Sequence, residues 1–213
     1  MEWRYDMELL VIRHGQSEAD ILKCHEGRAD FPLTDLGIKQ AELLADWIRK
    51  NYPPDFIISS PLKRARKTAE ILASLVKINL QYDDDLMEYN NGKLAGLPYE
   101  EAAIKFPVQP ENKKAYISFY GQETLIEFRA RAEKVLTKII EEYPPESRVA
   151  IVSHGNMINM LFRSFLKMPI NLDCIISNGD TAVHYWKVEN GKRKIIFLNK
   201  TDHLQSIREE KNL

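Results

Sequence analysis

Four consecutive apolar residues, Leu9-Leu10-Val11-Ile12, run directly into Arg13-His14-Gly15-Gln16-Ser17. A short, unbroken apolar run reads as a strand buried on both faces, the habit of parallel sheets covered by helices. In open α/β sheets, ligands bind just beyond the carboxyl ends of strands. Arg13 and His14 therefore stand where a small anion could be held and attacked. Gly15 is expected to turn the backbone tightly there and to leave room for a ligand. By itself, the tripeptide fits a strand-terminal turn with a surface histidine equally well. The second half of the chain repeats the pattern, with Arg148 to Val152 leading into Ser153-His154-Gly155.

The remaining chain alternates helical and strand signals. Thr34 can cap a helix to about Lys50, with Leu36, Leu43, Leu44, Trp47 and Ile48 as its inward stripe. Asn51 to Pro54 ends that helix, and Asp55 to Ser59 reads as a buried strand. Ser60-Pro61 is read as an N-cap followed by a first helical position. The helix it opens carries Lys63, Arg64, Arg66 and Lys67 early, which its dipole disfavours. For Lys63, Arg66 and Lys67 a solvated face suffices, whereas for Arg64 a bound anion would resolve the conflict. Ile78 to Tyr82 is a further short strand, and Asp83-Asp84-Asp85 a solvated turn. The glycine-rich stretch with Glu88, Gly92 and Gly96 implies irregular backbone. Residues 98–121 read as a cap-like insertion with short helices at most. Thr124 to Tyr143 is a helix with the stripe Leu125, Phe128, Ala132, Val135, Leu136, Ile139 and Ile140. Met157 to Leu166 is a buried helix. Thr181 to Val188, Asn190-Gly191 and Arg193 to Asn199 form a hairpin, and the tail from Ser206 is expected to fray. The expected fold class is α/β: a single domain over 1–213, built as a three-layer α/β/α sandwich with a mostly parallel central sheet and a C-terminal antiparallel hairpin.

Composition narrows the function. Thirty Lys and Arg against 31 Asp and Glu give a net charge of −1, so no global field favours nucleic acid. No apolar run is long enough for a membrane span. The polar Met1 to Asp6 leaves no room for a secretory signal before the first strand. Cys24 and Cys174 form neither a disulfide framework nor a zinc ribbon. The expectation is a cytoplasmic protein acting on a small ligand, with its oligomeric state unread.

If the three strand ends converge, two arginines and two histidines surround a pocket of phosphate size, with Glu88 delivered by a nearby loop. Arginine donates two parallel hydrogen bonds to a phosphoryl group and stays charged. A neutral imidazole nitrogen can attack phosphorus, and a carboxylic acid can protonate the leaving alkoxide.

At this point the chain resembles the histidine phosphatase superfamily, whose members include phosphoglycerate mutases and phosphomonoesterases. The resemblance rests on Arg13-His14-Gly15, Leu33-Thr34-Asp35-Leu36-Gly37, Ser59-Ser60-Pro61-Leu62-Lys63-Arg64-Ala65 with Thr68-Ala69, Glu88 with Gly92 and Gly96, Gln122-Glu123-Thr124 with Arg131, and Ser153-His154-Gly155. It implies His14 as nucleophile, Arg13 and Arg64 as phosphoryl ligands, His154 as stabiliser and Glu88 as proton donor. It implies Gln16, Ser17, Gly27, Gly155 and Asn156 as substrate-binding residues. Asp20 stands where many members have asparagine, so it belongs to the same set only if its carboxylate avoids the anion. No cofactor and no metal are implied.

The implied reaction is phosphomonoester hydrolysis of a small phosphorylated metabolite. The alternative is mutase-type phosphoryl transfer between hydroxyls of a small phosphorylated acid. Dedicated mutases carry paired arginines in the insertion, where this chain offers only Lys113-Lys114, and Asn91 and Tyr99 fall near mutase tyrosine and lysine positions. A metal site from His14, His25, His154 and Glu88 lacks close histidine spacing. A serine hydrolase using Ser153 lacks the first glycine of the nucleophile elbow, where Ile151 stands. A non-catalytic phosphate-binding module is disfavoured by the filled catalytic positions. His184 and His203 read as structural, and His25 first as a loop residue, with the pocket rim as the alternative. Replacing Arg64 by alanine is expected to cost little stability, and Glu88→Gln to keep both shape and hydrogen bonding.

Overall fold

The computed structural model describes residues 6–107, 114–172 and 174–210. Strand β1 (Met7–Arg13) is followed by the short helix α1 (Glu18–Leu22), helix α2 (Asp35–Asn51), β2 (Phe56–Ser59) and α3 (Lys63–Val76). Then come β3 (Leu80–Tyr82), 3₁₀ turns at Asp84–Leu86 and Gly92–Leu94, α4 (Tyr99–Lys105) and α5 (Leu125–Glu142). The chain continues with β4 (Arg148–Ser153), α6 (Gly155–Phe165), β5 (Val183–Glu189), β6 (Lys192–Lys200) and α7 (Gln205–Glu210). Among the described residues, six strands form one sheet in the order β3-β2-β4-β1-β5-β6. The first four are mutually parallel, while β5 and β6 are antiparallel to their neighbours. The sandwich and its terminal hairpin are as the sequence predicts.

The apolar run of β1 explains the layering. Alternate side chains of a strand leave opposite faces. Leu9 and Val11 pack with α5 and α6 on one side, and Leu10 and Ile12 pack with α2 and α3 on the other. All four are fully buried. Phe128, Val135, Leu136 and Ile139 supply the α5 face, and burying one such side chain stabilises by about 1.5–3 kcal/mol. At the hairpin, Asn190 and Gly191 both have positive φ, 51° and 71°, as a two-residue turn matched to strand twist requires.

Several expectations are corrected. Helix α3 begins at Lys63 with Leu62 as N-cap, so Ser60-Pro61 does not open it. The Ser60 hydroxyl instead accepts from the Leu62 N–H at 3.3 Å and lies 2.8 Å from the His154 ring. Strand β3 starts at Leu80, two residues later than its apolar text. In α2 the buried face is Gly37, Gln40, Ala41, Leu44, Ala45 and Ile48, while Leu36, Leu43 and Trp47 are half-buried. Residues 205–210 are helical rather than frayed. Gly15 serves neither a positive-φ turn nor ligand access: a Cβ there would stand 2.5 Å from the Gly37 carbonyl oxygen. Its lack of a side chain lets the strand-end loop rest on the start of α2.

Candidate active site

The parallel strands deliver their carboxyl ends together. Arg13 is in register with Ser153, and Ser59 with Val152. The next residues, His14, Ser60 and His154, therefore emerge side by side. His14 and His154 rings lie 5.1 Å apart, and both are buried.

His14 has its tautomer fixed by its neighbours. Its Nδ1 lies 2.7 Å from the Gly15 carbonyl oxygen, which can only accept, so Nδ1 carries the hydrogen. Its Nε2 receives the Arg64 Nε–H at 3.3 Å, so Nε2 holds the lone pair. Burial, then the charges of Arg64 and Arg13, hold the His14 pKa well below the ordinary imidazole range. Burial, Arg64 and His14 do the same to His154. Both rings are neutral near pH 7. His154 Nδ1 is buried without a partner among the described residues, as is Arg13 Nε.

Arg64 is completely buried in the first turn of α3. Its Nη2 donates to the Gly27 carbonyl at 2.8 Å and its Nη1 to the Ala29 carbonyl at 2.9 Å. The anion that relieves the helix end is a side chain of this chain. Asp30 accepts from the Lys63 backbone N–H at 2.7 Å, with the Lys63 ammonium 3.7 Å away. Arg64 is thus a structural clamp on loop 27–30 as well as a cation facing His14, and its removal cannot be cheap.

Glu88 is buried where α6 begins. Its Oε1 accepts the N–H groups of Tyr89 at 2.7 Å and Met157 at 3.1 Å, and its Oε2 accepts that of Asn156 at 3.0 Å. Burial raises its pKa, and the Tyr89 and Asn156 N–H groups and Arg64 oppose the rise. Asp83 to Asp85 are not among the causes: Asp83 caps its own 3₁₀ turn and pairs with Lys138 at 3.2 Å, and Asp85 pairs with Lys134 at 2.7 Å. The nearby carboxylate that acts on Glu88 is Glu26. Because both Glu88 oxygens accept N–H groups, glutamine would aim its amide N–H at a donor, so Glu88→Gln is not neutral in hydrogen bonding. The Glu88 loop is held from behind by Arg131, which donates to the carbonyls of Asp85, Met87 and Glu88 at 2.8, 2.5 and 2.9 Å and pairs with Glu123 at 2.7 Å.

Arg13 donates to the Asn178 carbonyl at 2.7 Å and pairs with Asp180 at 3.6 Å and Asp20 at 3.9 Å. Asp20 accepts from the Ser17 N–H at 2.8 Å, closing a capping box. Its carboxylate is therefore tied to the strand-end loop yet lines the cavity. The Gln16 backbone N–H donates to the Gln40 side chain at 2.8 Å, the Gln16 side-chain oxygen accepts from the Thr34 hydroxyl at 2.9 Å, and Ser17 is fully buried with its hydroxyl donating to Glu26.

Glu26 is the residue that the sequence reading missed. One carboxylate oxygen lies 3.7 Å from His14 Nε2, and the other lies 3.4 Å from Arg64 Nε and accepts from the Ser17 hydroxyl. A carboxylate thus faces both the imidazole lone pair and the buried arginine. No motif signalled this, because the loop from Cys24 to Asp30 shows no periodicity.

A cavity of about 480 Å³ opens above these groups, lined by Arg13, Asp20, His25, Glu26, Glu88 and Asn156 among others. Gly27, Gly155 and Tyr99 also line it, so His25 belongs to the rim. A hollow of about 290 Å³ adjoins it, sharing Tyr89, Asn156, Asn159 and Ile175 and adding Leu125, Phe128, Met160 and Arg163. The histidines outside the cavity are structural. His184 is buried in β5 and accepts from the Asn199 N–H at 3.2 Å, and His203 meets the Thr181 hydroxyl at 2.8 Å. The Ser153 hydroxyl donates to the Leu86 carbonyl at 2.8 Å, a structural contact. Among the described residues, no three His, Cys, Asp or Glu side chains are placed to hold a metal, and no helix is long and apolar enough to cross a membrane. Lys113 lies outside the described residues, and Lys114 is exposed.

Residues 9–201 match the histidine phosphatase superfamily, branch 1. The chain belongs to the histidine phosphatase superfamily. It is similar to the uncharacterized phosphatase PhoE of Bacillus subtilis strain 168, 29% identical over 186 residues covering 84% of this chain and 91% of the relative. Phosphoglycerate mutase-like protein 4 of Arabidopsis thaliana is 29% identical over 214 residues, covering 93% and 90%. In fold, the chain is similar to the phosphoserine phosphatase of Entamoeba histolytica solved with 3-phosphoglyceric acid. The TM-score is 0.78 at 24% identity, over 93% of this chain and 99% of that one. In this member of the superfamily the two strand-end histidines and the buried arginine lie within one polar cluster.

Proposed function

We propose that this protein is a metal-independent phosphomonoester hydrolase that works through a phosphohistidine on His14. The observation that carries the proposal is the fixed tautomer. With Nδ1–H held by the Gly15 carbonyl, the Nε2 lone pair faces Arg64 and Glu26, and Glu26 lines the cavity. One domain carries the site; of the cap-like insertion at 98–121, residues 108–113 lie outside the described residues, and Tyr99 lines the cavity.

The phosphoryl group of a small phosphorylated metabolite displaces the Glu26 carboxylate from Arg64 and His14. Its oxygens take the unpartnered N–H of Arg13, the Arg64 Nε–H and the His154 ring. The His14 Nε2 lone pair attacks phosphorus while the bond to the leaving oxygen breaks, and protonated Glu88 gives its proton to that oxygen. Glu88, now ionised, takes a proton from water as the water oxygen attacks phosphorus. The phosphorus–nitrogen bond breaks and returns its electron pair to Nε2. Burial, which raises the Glu88 pKa, supports the first of its two roles, and its three N–H contacts support the second. Gly155 and Asn156 border the leaving group, and Gly27 positions Arg64 through its carbonyl.

Hydrolysis is favoured over mutase transfer because, among the described residues lining the cavity, Arg13 is the only cation and it is already paired. A panel of phosphomonoesters assayed with and without 2,3-bisphosphoglycerate, and with a chelator, tests this. Turnover that needs neither the bisphosphate nor a metal is expected. Strict dependence on the bisphosphate would make the enzyme a mutase, and loss to chelation restored by zinc would make it a metallohydrolase.

A further inference from the structure

The charges around the leaving-group half of the cavity specify the kind of alcohol it takes. Glu26 and Asp20 line the cavity beside Arg13, and Asp180 pairs with the same arginine. Apart from His25 and a third carboxyl group, that of the proton donor Glu88, the remaining polar lining is uncharged: Tyr89, Asn91, Tyr99, Asn156, Asn159, Ser177 and Asn178. Burial lowers the His25 pKa and so disfavours its cationic form. Arg163, the cation in the described lining of the adjoining hollow, donates to the Cys174 carbonyl at 2.8 Å. Once a phosphoryl group occupies Arg64 and Arg13, no described lining cation is left for a second anion, while the Asp20 carboxylate and the displaced Glu26 carboxylate remain in the lining that it would meet. Like charges brought together in a partly desolvated site are strongly disfavoured.

Resting on the phosphatase reading, we infer that the substrate is the phosphomonoester of an alcohol with no carboxylate or second phosphate, and that Glu26 and Asp20 are the residues that reject such groups. An uncharged hydroxylated alcohol meets the asparagine side chains, and a cationic one meets the carboxylates.

A matched pair of esters tests the inference. Glycerol 3-phosphate and 3-phosphoglycerate differ by a hydroxymethyl in place of a carboxylate, and nitrophenyl phosphate reports phosphatase activity independently of both. Wild-type kcat/KM is expected to favour glycerol 3-phosphate by at least about tenfold, the scale of one like-charge contact in a half-screened site. In the doubly substituted variant Glu26→Gln, Asp20→Asn the preference should shrink at least about fivefold. Equal or better turnover of 3-phosphoglycerate by the wild type, alongside turnover of nitrophenyl phosphate, overturns the inference and leaves the phosphatase reading standing. An unchanged preference in an active double variant overturns the assignment to these two carboxylates. No turnover of any ester overturns the phosphatase reading and the inference with it.

Discussion

Replacing Arg64 by alanine should destabilise the protein even when no phosphate is present. The side chain is fully buried and donates to the Gly27 and Ala29 carbonyls and to His14 Nε2. A hydrogen bond from a charged group contributes about 1.5–3 kcal/mol, and truncation strands both carbonyls and opens a void. Water entering from the adjacent cavity recovers part of the loss. The net cost is on the order of 3–5 kcal/mol, which in a domain of this size lowers Tm by about 6–20 °C. Thermal unfolding followed by circular dichroism in phosphate-free buffer measures it. Adding phosphate should raise the wild-type Tm and leave the variant unmoved, because the variant has lost a ligand of the anion. Arg64→Lys should fall between, since one ammonium cannot span both carbonyls and the pocket. A folded Arg64→Ala protein melting within about 2 °C of the wild type would refute the clamp.

Glu88→Gln should slow phosphoenzyme formation from an alkyl phosphate by about 10²–10⁴-fold and from nitrophenyl phosphate much less, because nitrophenolate leaves without a proton; single-turnover quenching reads both. Its misplaced amide N–H should also cost about 1–3 kcal/mol in urea unfolding. Acid should weaken the fold below pH 6.5: buried His184 and His203 have pKa values lowered to about 4, and His14 and His154 are lowered well below the ordinary value. The unfolded chain then binds protons that the folded chain refuses, so stability present above pH 6.5 is lost on the way to pH 4, by up to about 1.4 kcal/mol per pH unit for each histidine. Glu88, with its pKa raised in the folded state, acts in the opposite sense over its own range. A flat unfolding free energy from pH 7 to 4 would refute the neutral buried rings. Gly15→Ala should push the strand-end loop off the Gly37 carbonyl and lower both Tm and activity, checked by melting and turnover.

The layers of this fold were legible because period and punctuation survive in the text. Leu9 to Ile12 and Val149 to Val152 are unbroken apolar runs, and Phe128 to Ile139 keeps helical spacing. The histidines, Arg13 and Glu88 were legible as reactive types placed at strand ends and in a glycine-rich loop. What escaped depends on contacts between distant segments. The carbonyls of Gly27 and Ala29 come to Arg64 from a loop without periodicity, and Asp30 caps a helix that begins 33 residues later. Glu26 was invisible for the same reason. The N–H groups that hold Glu88 come from Asn156 and Met157 in α6, so its intolerance of glutamine is a property of the assembled site. Ser60-Pro61 misled because its hydroxyl is drawn to His154 instead of capping the helix.

The central claim is that His14 Nε2 carries the phosphoryl group, and trapping that intermediate tests it most directly. Wild-type protein mixed with ³²P-labelled phosphomonoester and quenched in base during a single turnover should retain acid-labile, base-stable label, and peptide mapping should place it on His14. His14→Ala, folded by circular dichroism, should retain none and turn over no ester. Label on another residue, or full activity in His14→Ala, would contradict the account.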